Sequence, residues 1–132
     1  ALSQPGAPRL DAATRGRVLL VDDEPLVRLG TAETLRDEGY EVDEADDGDS
    51  AIALAAQVGY DCVITDYLMP GMNGVELARR LRAERPELPI LLLSGYADPE
   101  AFSELPYLSK PCFGDDLVKA VVGLGDGQRA AG

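Results

Sequence analysis

The sequence contains no histidine. That absence removes Ser-His-Asp and Cys-His catalysis, most zinc sites, and any phosphohistidine carried by the chain itself. Cysteine is scarce as well. Cys62 and Cys112 stand far apart in no metal-ligand spacing, and they read as reduced thiols, one of them in a strand. No apolar run is long enough to span a bilayer, and no basic-then-apolar leader opens the chain, so a cytoplasmic protein without membrane contact is expected. A phosphate loop of the GxxxxGK type is missing too. Cations are outnumbered two to one, with 12 Lys and Arg against 24 Asp and Glu, for a net charge of −12. Such a surface repels nucleic acid and suits a metal cation or a basic protein surface.

What is present fits one globular domain. The 132 residues are 45% hydrophobic and 27% charged, enough to bury a core. Residues 1–16 are rich in Ala, Pro and Gly without periodicity and read as a linker or arm; residues 124–132 read as a flexible tail. An Ala at the first position, in place of Met, suggests a processed chain or a segment cut from a longer one. Between the ends, "RVLLV", "YEVDEA", "DCVIT", "PILLL" and "PYLS" read as strands, four of them near-continuously apolar, as strands covered on both faces must be. Helical spacing links Leu26, Leu29, Ala32 and Leu35, then Ala51, Leu54, Ala55 and Val58, then Leu77, Ala78 and Leu81, and last Phe113, Leu117, Val121 and Leu124. This alternation predicts a parallel sheet between helix layers. Only residues 94–105 connect the last two strands, so the fourth helix is expected to be short or missing.

The chemistry gathers where those strands end. In a doubly wound sheet, ligands sit beyond the carboxyl ends of the strands. Strand one delivers Asp22 and Asp23, strand three Asp66, strand four Ser94 and strand five Lys110. Each has a plainer reading. The acid pair could cap the helix beginning near Pro25, Asp66 could open a turn, Ser94 could be a strand exit, and Lys110 a solvated charge. Taken one by one these hold, but together they leave the shared edge unexplained. Crowded carboxylates repel unless a cation intervenes, and Mg2+ suits a site that offers carboxylates and a phosphate oxygen. Ser94 and Lys110 then suit the remaining phosphoryl oxygens, which makes a phosphoryl-transfer site.

Four segments, "VLLVDDEP", "VITDYLMPGMNG", "LLLSGYA" and "YLSKP", together resemble the receiver domain of two-component response regulators, over residues 17–123. The resemblance implies a flavodoxin-like, doubly wound, five-stranded parallel sheet in order 2-1-3-4-5. It implies Asp66 as phosphoacceptor, taking a phosphoryl group from a phosphohistidine on a histidine kinase or phosphotransfer protein. Asp23, Asp66 and the backbone carbonyl of Leu68 would bind Mg2+ (with Mn2+ as a substitute), and Asp22 would act through water. Lys110 would pair with phosphoryl oxygens, Ser94 would move to hydrogen-bond them, and Tyr107 would swing inward behind it. Such a domain catalyses its own phosphorylation and dephosphorylation without turning over a free substrate. Leu68 and Tyr96 would flank the phosphoryl group and slow its hydrolysis.

The short segment between Ser94 and Lys110 departs from the family pattern and puts its dimer through the fourth helix in doubt. It looks like receivers of hybrid sensor histidine kinases, and a free-standing single-domain regulator is the alternative. No effector domain follows Gly123, so direct transcriptional control by this chain is not expected. A receiver-like module that takes no phosphate would have been expected to lose one of the acids or the lysine. An aspartyl phosphatase would want Asp two positions after its nucleophile, where Glu24 and Pro25 stand. A calcium loop starting at Asp43 would have Ala45 and Leu54 at ligand positions, so Asp46, Asp47 and Asp49 read as a solvated turn capping the second helix.

Overall fold

The computed structural model describes residues 16–95, 105–109 and 114–131. Within them five strands and four helices alternate: β1 (Gly16–Val21), α1 (Pro25–Asp37), β2 (Tyr40–Ala45), α2 (Gly48–Gln57), β3 (Cys62–Asp66), α3 (Gly74–Glu84), β4 (Ile90–Ser94), β5 (Tyr107–Ser109) and α4 (Gly114–Ala131). The strands pair in parallel in the order β2-β1-β3-β4-β5. This is the expected flavodoxin-like arrangement.

Period-two alternation divides the strands between two cores. Val18, Leu20, Cys62, Ile64, Leu91 and Leu93 face one side and pack with Ala32 and Leu35 of α1 and Leu117 and Val121 of α4. Leu19, Val21, Val63, Ile90 and Leu92 face the other and meet Ala51 of α2 and Leu77, Ala78 and Leu81 of α3. Leu19, Leu20 and Val21 are fully buried, each side chain contributing roughly 1.5–3 kcal/mol by leaving water. Cys62 lies within β3, where burial, with Asp61 beside it, pushes its thiol up to about 12. It stays protonated and inert at neutral pH.

α4 runs on to Ala131, over residues whose composition reads as a tail. Extending a helix already anchored by Leu117 and Val121 costs far less than starting one, so scattered glycines do not end it. On α1, only Ala32 and Leu35 are buried, while Leu26 and Leu29 are 84% and 45% exposed. Steps of three turn about 300°, so such a stripe drifts about 60° per step and carries Leu26 to the side opposite Leu35. The arm expected at residues 1–16 lies outside the described residues but for Gly16, the first residue of β1, and the segment expected to hold a short fourth helix between β4 and β5 lies outside them over residues 96–104.

Candidate functional site

Register brings the acids together. Val21 lies opposite Thr65 in the β1–β3 pairing, so the next residues, Asp22 and Asp66, stand level at the strand ends. Asp66 in turn pairs with Leu93, and Ser94 follows at the end of β4. Asp22 is 1% exposed, Asp66 7% and Ser94 3%, with Asp23 more open. Oxygens of the carboxylates of Asp22, Asp23 and Asp66 lie within 4.8 Å of one another. Beside them opens a cavity of about 280 Å³ lined by Asp23, Glu24, Asp66, Leu68, Ser94 and Gly95. Glu24 was not foreseen as a lining residue; its place directly after the acid pair was the available signal.

The acid pair does not cap α1 in the way considered from sequence. Glu24 is the N-cap residue, its side chain makes no cap bond, and Pro25 opens the helix. Instead, Asp22 Oδ1 accepts a hydrogen bond from the Glu24 N–H at 2.9 Å. Asp47 does cap α2, accepting from the Ser50 N–H at 2.7 Å. That bond holds the exposed Asp47 carboxyl below its ordinary range.

The segment after Asp66 is fixed at both its ends. The Tyr67 N–H donates to the Leu93 carbonyl at 2.9 Å, and the Gly74 N–H returns to the Tyr67 carbonyl at 2.8 Å. Gly71 takes a φ of +80°, which side chains rarely adopt. At Gly74 a Cβ would lie 2.5 Å from the Asp66 carbonyl oxygen and 2.8 Å from Leu92 Cδ2, so only glycine lets α3 start this close to β3. Asn73 and Glu76 then close a capping box, with the Glu76 N–H on Asn73 Oδ1 at 2.9 Å and the Asn73 N–H on Glu76 Oε1 at 3.3 Å. Met72 packs against Gly48, where a Cβ would meet its Sδ at 2.8 Å, tying the loop to α2.

Leu68 stands at the cavity wall, 66% exposed, and Tyr107 of β5 is 37% exposed. Ser94 pairs with Ser109, so β5 ends at the same edge as β4. Lys110 and Tyr96 lie outside the described residues.

Three carboxylates at this separation repel strongly in a half-buried setting, and a divalent cation relieves that repulsion. The donors are hard oxygens, the set Mg2+ prefers, with room beside them for water and a phosphoryl oxygen. The residues present fit the ion.

A family model described as the response regulator receiver domain matches residues 18–122. The transcriptional regulatory protein PdtaR of Mycobacterium tuberculosis is 38% identical over 118 residues, covering 84% of this chain. The chain spans 57% of the length of that relative. The receiver domain of the hybrid histidine kinase CckA is similar at a TM-score of 0.74 and 36% identity, covering 83% of this chain and 99% of that one. The response regulator TrrA of Thermotoga maritima, solved in complex with Mg2+–BeF, gives a TM-score of 0.75 at 37% identity, over 82% and 97% of the two chains. Receiver domains bind Mg2+ at an acidic pocket of this kind. The chain belongs to the receiver-domain family of two-component response regulators.

Proposed function

We propose that this domain accepts a phosphoryl group from a partner's phosphohistidine onto Asp66. Receiver domains act with histidine kinases or phosphotransfer proteins. The observation that carries the reading is the convergence of the Asp22, Asp23 and Asp66 carboxylates, the last two lining one cavity, with Asp66 as the last residue of β3. Asp66 attacks phosphorus through one carboxylate oxygen. A P–O bond forms as the P–N bond to the imidazole breaks, and the nitrogen keeps the electron pair. Asp23, Asp66 and the Leu68 carbonyl would hold Mg2+, and Asp22 would act through water. The ion supplies charge neutralisation to the phosphoryl oxygens. Ser94 donates its hydroxyl to one of those oxygens, Lys110 pairs with another, and Tyr107 turns inward as Ser94 moves. Phosphorylation adds roughly −1.5 to −2 charge, so the arrangement these donors favour gains population.

The exposed Leu26 and Leu29 on the first turns of α1, the helix that follows the cavity-lining Glu24, offer the partner an apolar footing. Similarity to the CckA receiver domain supports a place within a hybrid kinase. Similarity to PdtaR supports the alternative of a regulator in its own right. A kinase core encoded directly upstream would decide for the first.

Incubation with a phosphohistidine donor or acetyl phosphate and Mg2+ should add one phosphoryl group by mass spectrometry, lost in Asp66→Asn. Unchanged labelling in that variant would overturn the assignment.

A further inference from the structure

Where β1 runs out, the peptide plane joining Asp22 to Asp23 needs a holder. The Asp22 N–H still reaches the Ala45 carbonyl of β2 at 3.1 Å, and its carboxylate accepts from Glu24. The Asp22 carbonyl, however, points to a side chain: Arg28 Nη1 donates to it at 2.7 Å. The same guanidinium donates from Nε to Glu44 Oε1 at 3.1 Å, with side chains only 18% and 26% exposed. Glu44 is itself braced by Arg36 Nη2, at 3.3 Å from Oε2, and that nitrogen also donates to the Val42 carbonyl at 2.8 Å. A chain of bonds thus runs from β2 through two arginines of α1 to the peptide linking the acids.

The geometry points to Arg28 as a positioning residue for the metal site. A peptide is planar, so holding the Asp22 carbonyl fixes the plane from which the Asp23 Cα and its carboxylate project. Arg28 holds the main chain and not the ion; the clamp rests on the reading of Asp23 and Asp66 as Mg2+ ligands. Glu44 balances the guanidinium charge, so the pair orients the acids without adding a net positive charge of its own beside them. Arginine suits the place because its planar fork reaches two acceptors at once, which a lysine ammonium cannot do in the same geometry.

The test is calorimetric titration of the whole chain with Mg2+ alone, at low and at high salt, for the native protein, Arg28→Lys and Asp23→Asn, with melting in EDTA alongside. Lysine keeps the charge and loses the fork. Groups that orient metal ligands without binding metal change affinity by about 10–100-fold, and one acting through the backbone belongs near the lower bound. Arg28→Lys should therefore raise the Mg2+ dissociation constant roughly tenfold at both salt concentrations. Native Mg2+ affinity in Arg28→Lys, whatever its melting temperature, would overturn the clamp while loss of binding in Asp23→Asn left the metal reading standing. Native binding in Asp23→Asn would overturn the metal reading and the clamp with it. Should Arg28→Lys not fold, Glu44→Gln loosens only the outer anchor. A several-fold weakening that survives high salt would support the clamp, and one that salt abolishes would make it a charge effect and sink it.

Discussion

The two ends of this sheet treat carboxylates in opposite ways. From the amino ends of β1 and β3, Arg17 and Tyr60 match Asp43 midway along β2: Tyr60 Oη donates to it at 2.6 Å, and Arg17 Nη2 lies 3.2 Å away. Arg17 also approaches Glu41 at 3.9 Å, and its N–H donates to Asp61 at 2.8 Å. At the carboxyl ends, three carboxylates are instead held against one another by strand register. The first arrangement stabilises the fold by satisfying charge. The second keeps like charges together because β1 and β3 leave the acids no other place, and so marks the functional end.

The largest way to break this contrast is to loosen what forces the acids together. Gly74→Ala would drive a methyl into the Asp66 carbonyl and Leu92, and β3 or α3 must move. Overpacking of this kind costs about 3 kcal/mol, read by urea unfolding, and calorimetry should show weakened Mg2+ binding. Native stability in this variant would mean that the close start of α3 is not what fixes Asp66.

Much of this end was legible in the sequence, and the reason is geometric. In a parallel sheet every strand finishes on the same edge, so acids that follow apolar runs must meet there, and Asp22, Asp23, Asp66 and Ser94 do. What was illegible depended on contacts between elements distant in the chain. Arg28 looks like any polar helix residue until Asp22 and Glu44 stand on either side of it. The Tyr60–Asp43 bond joins residues 17 apart with no local pattern to announce it. The α1 stripe misled because stepping by threes resembles a face over two turns and winds off it over three.

A smaller effect sharpens the matched end. Burial pushes the Asp43 carboxyl up, but hydrogen bonds from Tyr60 and Arg17 outweigh it and hold the group below its ordinary 3.8. A depressed carboxylate contributes stability above its unfolded value and loses it as pH falls through the folded one. Asp43→Ala strands the buried Tyr60 hydroxyl and should cost about 2 kcal/mol near neutrality. The gap from the native protein should narrow as pH drops below 3.8. A gap independent of pH would assign the loss to packing alone.

The smallest effect tests the crowded end and carries the opposite sign. Asp23 is the most open of the three acids, so its repulsion is screened and nearer the watery limit, about 1 kcal/mol in total. Asp23→Asn removes that repulsion while keeping the shape, and in EDTA it should raise the melting temperature by about 4 °C. With Mg2+ in excess the order should reverse, because only the native protein gains stability from binding the ion. A variant that melts lower than the native protein in both conditions would show that Asp23 is already balanced within the fold. The acid edge would then be no different in kind from the end held by Arg17.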